Sequence, residues 1–424
     1  MRPLPFFRAS APLTAVERLA KRRLVIQDTL ALLGIFASTC ILAALTFLIF
    51  QSYSQHQRDA AARWKRRGEE ALLKGNANAA VFDLRMALGY ARVDRVTEME
   101  LASALALAGR LQEATAYFNT LWDKEPGNGI INLQLARLAA RQQQTASAIE
   151  HYHAAIYGVW EGDGAIRRRQ VRLELVRYLI RQGRFGEARD ELLIAAGNDT
   201  TTRSLLEVAG LLAEAHAPND AFRLYHEVAS RRPIVTEAVE GAGQMAFAMG
   251  HYRTANLYLD RAVTVAASGA QPLVNRPLTE RNLQIARAVL AAYPSPQLPP
   301  RERLRRVIRA YETARARFAS CSAQVQSGGG NAAGAKPASQ ATQTAGTQTG
   351  GAKNSDEMAA LAARWQKEPA RLRIADLEKK PELEAGAMQL VYDTEQATAR
   401  ACGPPAGADA ILLRIAAAPD AVDQ

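Results

Sequence analysis

From Trp64 to about residue 268 the apolar positions of this chain return with a nearly fixed spacing. An alanine marks each return: Ala80, Ala114, Ala148, Ala188, Ala221 and Ala255, at intervals of 34, 34, 40, 33 and 34 residues. Twelve positions before each stands a small or compact residue, namely Gly68, Ala102, Ala136, Val176, Ala209 and Gly243. Four positions after come Leu84, Phe118, Tyr152, Leu192, Tyr225 and Leu259. Seven after come Ala87, Leu121, Ala155, Ala195, Val228 and Ala262. These offsets are helical and never alternate as a strand would. Five positions before each alanine lies Gly75, Gly109, Gln143, Gly183, His216 or Gly250, and glycine there supplies the positive φ that ends a helix. The pattern predicts about six pairs of amphipathic helices, each joined by a tight turn. One pair cannot bury its apolar face alone, so the pairs must stack. The longer third interval predicts a loop around "VWEGDGAI".

Two further patterns flank the repeat. "LALLGIFASTCILAALTFLIF", Leu30–Phe50, is 21 residues without a charge. An apolar run of about 20 residues spans a bilayer core as a helix. A signal peptide has a shorter apolar core and a small-residue cleavage site, which this run lacks. On the other side, helices are expected over 278–292 and 301–321. The second carries Leu304, Val307, Ile308, Tyr311, Ala314, Phe318 and Cys321 on one stripe. Residues 327–355 hold no large apolar side chain and predict disorder. Helical pieces are expected again at 356–367, 382–400 and 408–417, with Pro369 and Pro381 as breaks.

The repeat resembles the tetratricopeptide repeat (TPR). Unit one carries that family's Trp64, Gly68, Ala80 and Ala87, and unit two carries Ala102, Gly109, Ala114, Phe118 and Pro126. The phrases "LIRQGRFGEARDELLIAA" and "AFAMGHYRTANLYLDRAV" repeat the turn, and Pro233 closes the fifth unit. Trp is present only in unit one, and unit five has "EAHAPNDA" at its turn. The resemblance implies an all-α solenoid that binds an extended segment or helix of another protein, on a groove lined by the first helix of each pair. That geometry puts Arg137 and Arg141 of unit three, and Arg177 and Arg181 of unit four, in the groove. Each pair is spaced i, i+4 and shares a helix face. Such forks hold carboxylates bidentately, which implies an acidic or C-terminal carboxylate-bearing partner segment. A plain solvated face is the competing reading. Apolar groove candidates are Leu72, Met99, Leu133, Leu173 and Phe247, some of which are equally core candidates.

The chain therefore divides into a basic tail (1–27), a transmembrane helix (28–51), a TPR superhelix (52–268), capping helices (269–323), a disordered linker (324–355) and a small helical C-terminal segment (356–424). The formal charge of +11 adds one distinction. It comes from residues 1–27, 51–67 and 301–317, and the rest of the chain is slightly acidic. Basic residues beside an apolar span fit anionic lipid headgroups, and no basic aromatic stretch suggests nucleic acid. The basic cluster before the span lies nearer to it than the one after, which favours an N-terminus inside and a C-terminal domain outside the cytoplasm of a bacterial inner membrane.

Candidate chemistry is sparse. "GAGQMA", Gly241–Ala246, fits a dinucleotide motif but lies on a repeat helix with no preceding strand, so its glycines are expected to serve packing. His151 and His153 are two apart on a helix and face different sides, a poor metal pair. "YPSPQLPPRERLRR" offers a PxxP, yet reads better as a stiff connection whose last proline opens a helix. No catalytic constellation, metal site or cofactor is expected. One echo stands out: "YETARARFASC" (311–321) and "YDTEQATARAC" (392–402) both run from Tyr to Cys over ten positions. If those helices lie parallel, Cys321 and Cys402 meet, and a disulfide closes a loop worth roughly 4 kcal/mol. Two unrelated buried thiols are the alternative. The sequence thus favours a membrane-tethered scaffold for a partner protein in envelope assembly or maintenance. A cytoplasm-facing TPR adaptor, and an enzyme or enzyme subunit with an unmarked site in the C-terminal segment, are the alternatives.

Overall fold

The computed structural model describes residues 15–90, 94–269, 271–327 and 348–424. Among these residues every regular element is a helix. Six consecutive hairpins follow the predicted repeat: α1 (Ala15–Leu73) with α2 (Ala77–Tyr90), α3 (Arg95–Leu107) with α4 (Leu111–Lys124), α5 (Gly129–Arg141) with α6 (Thr145–Tyr157), α7 (Gly164–Arg181) with α8 (Phe185–Asn198), α9 (Thr202–Glu214) with α10 (Pro218–Ala229), and α11 (Thr236–Ala248) with α12 (Tyr252–Ala267). Then come α13 (Arg276–Ala292), α14 (Pro300–Ser327), α15 (Gln348–Lys367), α16 (Ile374–Lys379), α17 (Pro381–Cys402) and α18 (Gly407–Ala417). The chain forms two compact units, residues 1–171 and 172–424.

The repeat alanines are the tightest points of each hairpin: Ala80, Ala114, Ala148, Ala188, Ala221 and Ala255 are all 0% exposed. The large residues four positions later are also buried. Where the residue twelve positions earlier is glycine, it makes room for that large one. A methyl on Gly68 would come within 2.7 Å of Leu84, and one on Gly243 within 2.6 Å of Leu259. Side-chain caps begin several of the helices, with Asn76, Asp94, Asn128, Thr201 and Asn275 each accepting a first-turn backbone N–H. The long third interval is a connection at 158–163, closed by backbone pairing of Gly129 and Gly127 with Val159 and by Trp160 Nε1 donating to Ala155 O at 2.8 Å.

Two expectations change. The boundary expected between apolar span and repeat is not a break, because α1 is one helix of 59 residues. Between Phe50 and Trp64 there is no Pro or Gly to end it. In the expected disordered stretch, residues 324–327 complete α14 and 348–355 open α15. Once Met358, Leu361 and Trp365 anchor α15 by burial, adding a residue at its end costs little. The remainder of that stretch, 328–347, lies outside the described residues. Pro381 marks the expected break between α16 and α17 and itself opens α17, as its fixed φ and missing N–H suit a first turn.

The capping helices and the C-terminal segment are not separate bodies. A single apolar cluster runs from Ala246 and Leu259 through Leu304, Val307 and Tyr311 to Trp365, Leu390, Val391, Ile415 and Val422. Trp365 sits against Tyr311 and Phe318, with ring centroids 4.9 and 6.2 Å apart. The chain's last residues reach the start of α12. There Arg253 N donates to Val422 O at 3.2 Å and Thr254 N to Gln424 O at 3.1 Å, satisfying amides that a helix's first turn leaves without a partner.

Candidate partner-binding surface

The six hairpin turns share one conformation. Gly75, Gly109, Gln143, Gly183, His216 and Gly250 all have φ between 54° and 81°. In each, the following amide reaches back five residues: Asn76 to Ala71, Arg110 to Leu105, Gln144 to Ala139, Arg184 to Leu179, Ala217 to Leu212 and His251 to Ala246, at 2.8 to 2.9 Å. This is the bond pattern that closes a helix on a left-handed residue. The turn, the buried alanine five residues on and the paired helices recur together at the period of the sequence. The hairpins therefore follow the tetratricopeptide-like spacing of the sequence, turn by turn. No protein-family model matches the chain, and no curated protein matches it. Among solved structures, PilF of Pseudomonas aeruginosa is 16% identical, covering 50% of this chain and 93% of its own, with a TM-score of 0.34. PilW, a type IV pilus biogenesis factor, is 18% identical over 53% of this chain and 96% of its own, with a TM-score of 0.33. YrrB, a TPR protein with a peptide-binding site, is 15% identical over 43% and 91%, with a TM-score of 0.32.

The four arginines stand on first helices of these hairpins, Arg137 and Arg141 on α5, Arg177 and Arg181 on α7. Arg137, Arg141, Arg177 and Arg181 are all exposed. Arg141 Nη1 donates to Ala106 O of the neighbouring first helix α3 at 3.1 Å. Arg177 Nη2 donates to Glu207 of the neighbouring first helix α9 at 2.9 Å. Each bond runs between first helices of one unit, so each pair of arginines stands on the shared face of those helices. The expectation that all four guanidiniums are available to a partner therefore changes, at Arg141 and Arg177 at the least. Both bonds are solvent-exposed and cost little to exchange for a better carboxylate. Arg181 has no hydrogen-bond or ion-pair partner among the described residues. Of the apolar groove candidates, Leu133 (9% exposed) and Leu173 (3%) are core, while Leu72, Met99 and Phe247 are half-buried.

The motifs that could suggest chemistry resolve into packing. In "GAGQMA" a methyl on Gly241 would lie 2.6 Å from the Tyr225 ring, and Gly243 accommodates Leu259. His151 meets Asn132 Oδ1 at 3.2 Å and sits edge-on to Trp122, and burial lowers its pKa, so it is neutral at pH 7. Cys321, in the C-terminal half of α14, and Cys402, the last residue of α17, lie side by side, joined with their Cα atoms 5.8 Å apart. Near the other end of the same helices Arg303 Nη2 donates to Glu384 at 3.1 Å. Both pairs are 81 residues apart, so the helices run parallel and the echoed phrases lie in register.

The sequence reading missed two groups. Glu395 of α17 is 0% exposed, and neither of its carboxyl oxygens accepts a hydrogen bond. Burial first, and then the charge of Asp409, push its pKa up to about 8, against the pull of Arg317. Burial also raises the pKa of Asp409, again opposed by Arg317. Nothing in the sequence marks these residues, because they converge from three different helices. The second group is the outer arginines of α14. Their i, i+4 spacing was legible, but which α14 arginines the fold consumes was not.

Proposed function

We propose that this chain is a membrane-tethered scaffold that holds a partner protein on the first-helix face of its tetratricopeptide repeat. The observation that carries the reading is the exposed arginine pair on that face in each unit: Arg137 with Arg141, and Arg177 with Arg181. Guanidinium forks on a rigid helix suit carboxylates, so the partner presents an acidic or C-terminal carboxylate-bearing segment. Each pair acts within its own unit. No cofactor is invoked.

The tether is α1, the one helix among the described residues that is long and apolar enough to cross a membrane. Its apolar side chains from Leu30 to Phe50 face no protein; Phe36, for example, is 67% exposed. Lys21, Arg22 and Arg23 on one flank, and Arg58 and Arg63 on the other, would meet anionic headgroups. In this reading the repeat lies outside the cytoplasm of a bacterial inner membrane and serves envelope assembly or maintenance. The nearer basic cluster supports an N-terminus inside. The paired Cys321 and Cys402 support an oxidising compartment for the rest. A tether raises the local concentration of any partner in the same envelope, so a modest groove affinity suffices.

Two measurements test this. Site-specific crosslinking from the first-helix face should trap a partner, and changing the four arginines to Ala should cut the yield several-fold. An unchanged yield would defeat the groove reading. Protease added to intact spheroplasts should digest the repeat. Protection until lysis would instead make the chain a cytoplasm-facing adaptor.

A further inference from the structure

The arginines of α14 fall into two classes. Arg303, Arg306, Arg315 and Arg317 face inward and are consumed by the fold. Arg303 pairs with Glu384, and Arg306 Nη1 donates to Leu290 O at 2.7 Å and Tyr293 O at 3.0 Å, neutralising the end of α13. Arg315 Nη1 donates to Pro369 O at 2.7 Å and lies over the Trp365 ring. Arg317 Nη2 donates to Gly403 O at 2.8 Å. Arg301, Arg305 and Arg309 face outward at i, i+4 and i+8, a row about 12 Å long on one helix face. Their side chains are poorly compensated. Arg301 is 82% exposed, with its nearest carboxylate, Glu378, at 3.9 Å. Arg305 is 66% exposed and stands 3.8 Å from Glu302, which is already bound to Arg306 at 3.3 Å. Arg309 is exposed and, among the described residues, has no carboxylate within ion-pair distance.

Beside this row lies a cleft of about 330 Å³ between α13, α14 and α18. Ala288, Ala291 and Ala292 form one wall, Ile411 another, and Arg309 and Thr313 line its α14 side. Small side chains on α13 leave a depression, and its walls are mostly apolar. An apolar hollow with a few polar groups at its edge is the general form of a binding site. A guanidinium at its edge would be partly desolvated by an occupant, which strengthens its pairing with a carboxylate.

We propose that this face is a second docking surface, separate from the first-helix groove, for an acidic peptide segment. Its carboxylates would lie along Arg301, Arg305 and Arg309, and one apolar side chain would enter the cleft. The charge row sets the chemistry of the occupant, and the cleft sets the need for an apolar anchor among the acidic residues. A flat layer of anionic headgroups would satisfy the row but has no use for a walled hollow. The site is independent of the groove reading, since it shares no residue with it.

The test uses the full chain in detergent micelles and a fluorescein-labelled short peptide carrying Glu at i, i+4 and i+8 with Leu on the same face. Binding should be saturable. It should weaken at least about tenfold in the Arg305→Ala/Arg309→Ala double variant, and also when Glu is replaced by Gln in the peptide. Ala291→Trp, which fills the cleft, should weaken it similarly, and both losses should persist in an Arg137→Ala/Arg141→Ala/Arg177→Ala/Arg181→Ala background, where the first-helix arginines cannot contribute. Should Ala291→Trp lose helicity, the exposed-arginine variant still decides the matter. No binding to the wild-type chain, or equal binding to the double variant or by the Gln peptide, would overturn the proposal. So would phosphatidylglycerol vesicles that bind with the same Arg309 dependence and displace the peptide, since the surface would then be a lipid contact.

Discussion

Glu240 and Glu395 are both buried carboxyls, and their surroundings give them opposite roles. Glu240 of α11 accepts from Val274 N at 2.6 Å, Asn275 N at 3.0 Å and Thr279 Oγ1 at 2.6 Å. It ties the start of α13 to the sixth hairpin. Glu240→Gln would keep the shape but set an NH2 against those donors, and should destabilise unit 172–424 by about 1–3 kcal/mol in chemical denaturation. Glu395 receives no such donors. Its folded pKa of about 8 stands above its ordinary 4.5, so between those values the folded state keeps a proton that the unfolded state loses. Stability should therefore fall as pH rises from about 4.5 to about 8, then level off. Glu395→Gln should remove that slope. The variant should melt above wild type at pH 8, with the difference closing towards pH 5. A constant offset at every pH would show that the carboxyl does not hold its proton in the fold.

The hairpin is the element on which the fold depends, and its weak points are those where the residue opposes the backbone. Gln143 has φ 60°, a conformation that costs a side-chain-bearing residue roughly 1–2 kcal/mol. Gln143 is exposed at the turn. Gln143→Gly should raise stability by up to about 1 kcal/mol after glycine's larger unfolded-state entropy is deducted. Gly243→Ala works the other way. It improves helix propensity, yet its methyl would press on Leu259, and the overpacking should cost about 1–3 kcal/mol. Thermal melts of the two variants, moving in opposite directions, check that the turn and the close contact are separate requirements of the same repeat.

Across the whole molecule, the C-terminal segment holds the end of the repeat through one core and one covalent staple. With Cys321 and Cys402 paired and Cys40 exposed on α1, the denatured, unreduced protein should take up one maleimide label, rising to three after reduction. Three labels without reduction would remove the staple and with it one support for the extracytoplasmic placement. Cys321→Ser/Cys402→Ser should lower the stability of unit 172–424 by roughly 2–4 kcal/mol, as expected for a long closed loop. The shared apolar core should keep α14 and α17 together in that variant at low temperature.

The sequence by itself determined the all-α class, the turn residues, the fully buried alanines and the uncharged span. Each of these is a local or periodic property, since helix spacing, positive φ and small size can be read one residue at a time. It also placed Arg137, Arg141, Arg177 and Arg181 on helix faces, because i, i+4 spacing fixes a face without knowledge of the neighbours. Only the tertiary structure decided which charges the fold consumes. Arg303 and Arg317 look like Arg305 and Arg309 in sequence, but α17 and the loop after it lie on one side of α14 and solvent on the other. The same holds for Glu395 and Glu240, whose difference lies in donors brought from other helices. That the C-terminal segment joins the repeat's own core was undecidable for a related reason. An apolar stripe states that something must cover it, and only long-range packing states what does.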